Sequence, residues 1–321
     1  MNAPGVSRAP TNQHYVPQFL LQNFGEGKRK HIWVFDKHGE TTFRSHPRNL
    51  ASERDFYEVE TPSGKTSIDD ILGRIETETA PILRKVIHER STAGLTLEER
   101  VVIASFAAAQ MLRTKASVER WADMNSKLCT ALEQMGADLN KVEGFTPLHS
   151  IDEVRAETFS SLPSTAKELT PYFLDKAWLL YETTLRDPFY LGDNPITMNN
   201  TVNERPHRGN LGLGVPGIEI YLPLSSTLQL CFLCTTIEQA ARTALPFANF
   251  SAPAARLSRL VKAIESGRPI MLEHESVIFQ NSLQVSNASR YVYCWKNDFE
   301  LALEMVTTHP ENKHSPRVMM N

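Results

Sequence analysis

Cysteine is scarce in this chain of 321 residues, which has four: Cys129, Cys231, Cys234 and Cys294. That is too few for the disulfide framework of a small secreted domain. Cys231 and Cys234 form a CxxC, but inside the apolar run LQLCFLC. On a strand a spacing of three turns the two thiols to opposite faces, so they read as buried small hydrophobes. No apolar run has the length of a membrane span, and no signal-peptide core is present. A reducing cytoplasm, with no membrane partner, is the expected setting. Positive charge is not in excess either. The formal net charge is −3, so no overall basic field recruits nucleic acid, although a local groove stays open.

Familiar catalytic signatures are also missing. GNLGLGVPG (residues 209–217) is not closed by GK[ST], so it reads as a mobile loop rather than a phosphate cradle. His31, His38 and His46 are spread over one short segment without HExxH spacing, which leaves zinc unsupported. There is no GxSxG nucleophile elbow and no internal repeat.

What is present is globular: 41% of residues are hydrophobic and 22% charged. The length allows one large domain or two. The chain is organised around Asn12–Phe24, NQHYVPQFLLQNF, after a flexible-looking leader over residues 1–11. Pro17 suits the first turn of a helix. Phe19, Leu20 and Phe24 give that helix an apolar face, and His14 stands just before it. GEGKRK, a basic turn, follows. Ile32–Phe35 and Thr41–Arg44, separated by the turn residues Asp36–Glu40, predict a hairpin. Phe56, Tyr57 and Val59 predict a third strand.

Helical periodicity runs from Ser67 to Arg90, with Pro81 expected to kink or restart the helix. Thr96 and Glu99 form a capping box for a helix from Leu97 to at least Lys115, extending toward Gln134. A Gly/Pro-bearing loop then separates an N-terminal half, 12–140, from a C-terminal half, 141–306, within one composite domain. The second half predicts helices near 152–160, 165–174, 237–245, 254–265, 271–286 and 298–306. It also predicts strands in AWLLYETT, FYLG, IEIYLPL, TLQLCFLC and RYVYCW, with GDNPITMNN as a turn-rich loop and a loose tail over 307–321. Strands and helices without βαβ alternation indicate a helix-dominated α+β fold, with an N-terminal hairpin or small sheet and an antiparallel or mixed sheet in the C-terminal half.

Three polar groups set in apolar sequence are candidates for chemistry. His14 lies behind Tyr15 and Phe19, and Glu53 ahead of Phe56 and Tyr57; polar groups held by aromatics are candidates for shifted pKa values. Gln110 and Arg113 continue the Ile103–Phe106 face of a helix, so Arg113 must meet a carboxylate, a phosphate or another acceptor. An internal salt bridge to Glu53, Asp55 or Glu76 is the alternative partner. Asp193 and Asn194, in GDNP, follow a strand end, where turn chemistry and a functional carboxylate are both at home.

NQHYVPQFLLQNF, IWVFDK, SERDFY, AQMLRT, LGDNP and YLPLS occur here in that order. Together they resemble a bacterial family of unknown function, the domain of unknown function numbered 4238, over Asn12–Trp295. The resemblance implies a bacterial protein and supplies no activity. The expectation drawn from the residue types is a composite site. His14 would be general acid or base, Glu53 or Asp193 would orient it or hold a divalent ion such as magnesium, and Arg113 would clamp a phosphate-bearing anion with Gln110 and Asn194 as hydrogen-bond donors. That reads as a phosphodiester hydrolase, nuclease-like or nucleotide-directed. The alternative is a non-catalytic protein recognising an anionic ligand.

Overall fold

A computed structural model describes residues 12–61, 64–202, 209–247 and 252–316; the expected leader, residues 1–11, lies outside them. The anchor opens on a strand, β1 (Asn12–His14), which the sequence does not announce. Pro17 then precedes the one-turn helix α1 (Gln18–Leu21), which buries Leu20 and Leu21. β2 (Ile32–Asp36) and β3 (Thr41–Ser45) form the expected hairpin, Val34 opposite Phe43. β4 (Ser52–Arg54) pairs with β1, setting Gln13 against Glu53 and His14 against Ser52. Phe56 and Tyr57 are not in a strand. They are buried in a turn because the Gln13 side chain accepts from the Tyr57 N–H, and the strand starts only at Glu58. β5 (Glu58–Thr61) and β6 (Gly64–Ser67) make a second hairpin.

α2 (Asp69–Glu89) runs through Pro81 without a restart, its Leu72, Leu83 and Val86 buried. One lost N–H is tolerated where an apolar stripe packs along the whole length. α3 (Leu97–Leu112) carries the full capping box: Thr96 accepts from Glu99 N–H, and Glu99 accepts from Thr96 N–H. It ends at Leu112, short of the expected Lys115. Thr114 caps a separate helix, α4 (Lys115–Gln134), with an extended backbone and a hydroxyl that accepts from Ser117. In the opposite sense, the two helices expected over 152–174 are one, α5 (Ile151–Leu174), with Pro163 and Pro171 inside. Each interior proline costs about 3 kcal/mol. The buried Val154, Phe159, Leu162, Ala166 and Phe173 of α5, packed with α3 in the main core, outweigh that.

β7 (Ala177–Glu182), β8 (Leu191–Gly192), β9 (Thr197–Asn200), β10 (Ile218–Ser225) and β11 (Leu228–Leu233) follow, then α6 (Thr235–Ala244), α7 (Ala252–Ser266), β12 (Ile270–Met271), α8 (His274–Asn287), β13 (Tyr291–Cys294) and α9 (Glu300–Thr308). β9 stands where only a turn-rich loop is expected. The larger sheet has the order β12-β7-β11-β10-β9, antiparallel except for β12 on β7. β10 and β11 are buried throughout, as continuous apolar runs should be. The second sheet, β3-β2-β13-β8, inserts a strand from the end of the chain between the N-terminal hairpin and β8. This is an α+β fold, and one hydrophobic cluster draws residues from Tyr15 to Tyr293. The stretch after Thr307 is not loose. Lys313 pairs with Glu40 at 2.6 Å, Ser286 bonds Asn312, and His314 lies against His38; residues 317–321 lie outside the described residues. Among the described residues no helix is long and apolar enough to cross a membrane.

Thr96→Ala removes the exposed half of the capping box and is expected to lower stability by about 1 kcal/mol. Urea denaturation monitored by circular dichroism checks it; an unchanged midpoint contradicts the cap's contribution.

Candidate functional site

Arg113 is the last residue of the α3 face, and it points inward, 2% exposed. Its Nε donates to the Tyr57 hydroxyl at 2.9 Å, Nη1 to Glu76 at 2.7 Å and Nη2 to the His14 carbonyl. Burial works against the cation, but Tyr57 and Glu76 hold it and leave its pKa raised. Gln110, one turn earlier and fully buried, donates to the Tyr15 carbonyl at 2.8 Å, while its Oε1 has no partner among the described residues. These two side chains clamp β1 and α2 onto the end of α3. Of the alternatives open for Arg113, an internal salt bridge to Glu76 is the one found, rather than an anion clamp.

His14 is half-buried and does not line the cleft described below. Its ring faces the Pro47 and Arg48 carbonyls, its Nε2 is buried without a hydrogen bond among the described residues, and burial lowers its pKa. The part of His14 in use is its backbone carbonyl, which accepts from Arg113 and from Tyr57.

Asp193 is 3% exposed and closes the turn between α8 and β13. Oδ1 accepts from Ser289 N–H at 2.7 Å; Oδ2 accepts from Arg290 and Tyr291 N–H, both at 2.9 Å. Burial raises its pKa, and the three N–H donors and Lys37 pull it back. Asn194 is held from both sides, accepting from Thr114 Oγ1 at 2.9 Å and donating to the Asn287 carbonyl. The whole 188–196 segment is read by an amide face of α8. Asn281 bonds Tyr190 N–H and the Pro188 carbonyl, Gln284 bonds Gly192 N–H and the Pro195 carbonyl, and Asn287 bonds the Asn194 and Ile196 carbonyls. A Cβ at Gly192 would sit 3.1 Å from the Gln284 carbonyl, a tight contact that a larger residue could meet only by shifting α8.

Lys37 completes this assembly. It is fully buried, and its Nζ donates to the Val285 and Ala288 carbonyls at the C-terminal end of α8, where a cation meets the helix dipole favourably. Burial brings its pKa down to about 8 despite Asp193 nearby. Nothing in the alternation of IWVFDK marks this lysine as internal.

An open cleft of about 400 Å³ does exist beside these networks. Of the six expected site residues, Glu53 and Asp193 line it; His14, Gln110, Arg113 and Asn194 do not. Its other polar residues include Lys115, Glu119, Ser289 and Arg290, with Tyr15, Phe43 and Tyr291 as aromatic walls. Lys115 pairs with Glu53 at 2.8 Å. Glu119 has its pKa raised by desolvation at the cleft wall; Lys115, Ser289 and His314 oppose the rise and Asp193 adds to it. Arg290 makes a two-point pair with Asp36, at 2.9 and 2.7 Å, and lies over the Tyr291 ring. Lys115 and Glu119 were legible as an i, i+4 pair on the first turn of a helix, but only once Thr114 is recognised as its cap. Among the described residues no group of three or more His, Cys, Asp or Glu side chains is placed to hold a metal ion.

Two outcomes follow from the buried charges. Arg113→Ala strands Glu76, which is about a quarter exposed, so a loss of about 3 kcal/mol in a denaturant melt is expected, near the low end for a broken buried pair. For Lys37, the folded pKa of about 8 lies below the ordinary lysine value of 10.5. The unfolded state therefore binds more protons between these values, and stability rises as pH rises through that window. Lys37→Met should remove this rise; equal slopes for both proteins from pH 8 to 10.5 would contradict the buried ammonium.

A family described as a protein of unknown function (DUF4238) matches residues 12–298. No curated protein and no solved structure matches the chain. The matched span begins at β1 and runs past β13, so it takes in the Arg113 clamp, the Asp193 turn and the cleft between them, and the chain belongs to the DUF4238 family.

Proposed function

We propose that this chain is a phosphodiester hydrolase working in the Glu53–Glu119 cleft. The observation that carries the reading is the lining of that one cleft: two carboxylates of different surroundings, with Lys115 and Arg290 beside them. A phosphate diester needs positive charge on its non-bridging oxygens, a base for the attacking water and an acid for the leaving oxygen. Lys115 and Arg290 supply the charge. Glu53 takes the proton of the attacking water as the new P–O bond forms. Glu119, whose pKa is raised, gives a proton to the leaving oxygen as the old P–O bond breaks. Asp193 positions Ser289, Arg290 and Tyr291 through its three N–H bonds and takes no part in proton transfer. Magnesium, where used, is held by one or two carboxylates together with substrate phosphate oxygens, a role Glu53 and Glu119 fit. Four unpaired cysteines support work in a reducing, cytoplasmic setting, and the family resemblance supports a bacterial one.

Non-catalytic recognition of the same anion is the second reading. It is favoured by Glu53 already being paired with Lys115. The separating experiment is turnover of bis(4-nitrophenyl) phosphate and of labelled nucleic acid, with magnesium and with chelator. Glu119→Gln is expected to slow cleavage of the labelled nucleic acid, whose alkoxide leaving oxygen needs a proton, roughly 10²–10⁴-fold, the usual worth of a general acid, with an unchanged melting temperature. Binding without turnover by the wild type supports the second reading; a Glu119→Gln rate equal to wild type removes Glu119 from the chemistry.

A further inference from the structure

The basic turn GEGKRK has no part in the cleft just described, yet it lies beside it. Lys28, Arg29 and Lys30 are all exposed on this turn. Its shape is set in advance: Glu26 bridges to His31, and Gly25 packs so closely on Lys30 that a Cβ would collide with the Lys30 carbonyl. Arg44 on β3 and Arg48 in the following turn face the same open basin of about 500 Å³ as Arg29. The five cations have Glu26 among them, which pairs with Arg44 at 2.7 Å. Neither Arg29 nor Arg48 makes a side-chain ion pair or hydrogen bond among the described residues. On a chain of net charge −3, this is a local concentration of uncompensated positive charge.

The basin and the cleft are neighbours, with Asn49 lining both. On the cleft side Phe43 stands 40% exposed, edge-on to Tyr291 at 6.3 Å. Cations tracking a backbone, next to aromatic faces on which unpaired bases stack, are the recognition chemistry of single-stranded nucleic acid. A membrane surface is a poorer fit, because the basin is concave and no large apolar side chain lines it. We propose that Arg29, Arg44 and Arg48 hold the phosphates of a single-stranded polynucleotide and that Phe43 stacks a base where the strand enters the Glu53–Glu119 cleft. The inference rests on the phosphodiesterase reading for its substrate class, but the surface binds whether or not the cleft cleaves.

The test is fluorescence anisotropy of a labelled 12-nucleotide mixed-sequence single strand, between 50 and 200 mM sodium chloride. Wild type is expected to bind with a strong salt dependence. Arg29→Ala/Arg48→Ala should weaken binding about tenfold or more at 50 mM salt. It should also flatten the log–log salt slope by about 1.4, since each phosphate contact on a single strand contributes about 0.7. Phe43→Ala should weaken binding about tenfold at every salt concentration. All three residues are exposed, so melts of the variants should match wild type. Undetectable wild-type binding, unchanged affinity in the double variant, tighter binding of a blunt duplex, or capture of phosphatidylserine vesicles in place of the strand would each overturn the proposal. Turnover of bis(4-nitrophenyl) phosphate by the double variant should stay within about twofold of wild type. A wild type that binds the strand as described but turns over no small diester supports this surface and removes the hydrolase reading alone.

Discussion

The contact on which the arrangement depends is the buried Asp193 carboxylate and the three successive N–H groups of Ser289, Arg290 and Tyr291. A charge taken this far from water is tolerable only with full hydrogen bonding. The turn that supplies the donors therefore has little freedom to be elsewhere. Through it α8 is fixed to the GDNP segment, and β13 is aimed into the sheet between β2 and β8. Lys37 secures the other end of the same joint, reaching from the N-terminal hairpin to the last carbonyls of α8. Two opposite charges on either side of one helix terminus thus hold together distant segments, 248 residues apart for Lys37 and Val285 and 96 apart for Asp193 and Ser289.

Arg113 does comparable work between α2, α3 and β1. Polar side chains wrapped in apolar sequence invite a functional reading, because an unpaired buried charge is so costly. That cost is met inside the protein as readily as by a ligand. Glu76, the Tyr57 hydroxyl and the His14 carbonyl satisfy it here. The cleft instead uses charged residues at its surface, Lys115, Glu119 and Arg290, whose neighbours in sequence are unremarkable.

What sequence reasoning recovers follows from which signals are local. The hairpin, the Thr96 capping box and the buried β10 and β11 are written in contiguous residues, and they are found. The break at Thr114 and the fusion of α5 through Pro163 are decided elsewhere. Thr114 has a second job, donating to Asn194, and α5 is carried across its prolines by contact with α3. The same holds for the site. Glu53 and Asp193 were visible as carboxylates beside strands. The reach of α8 along residues 188–196 comes from Asn281, Gln284 and Asn287, at spacings of three on a helix that periodicity identifies but whose partner it cannot name.

The place of β13 has a consequence for how the chain is made. The N-terminal hairpin leaves the ribosome early, but the strand that pairs with β2 is Tyr291–Cys294. During synthesis β2 presents an unpaired edge for most of the time the protein takes to be built, and such edges invite pairing with other chains. Contacts of this sequence separation are also slow to close. The sheet β3-β2-β13-β8 is complete only once that late segment is in place. The cleft needs the same segment, so a chain truncated before β13 would keep Asp193 but lack Tyr291 from its lining.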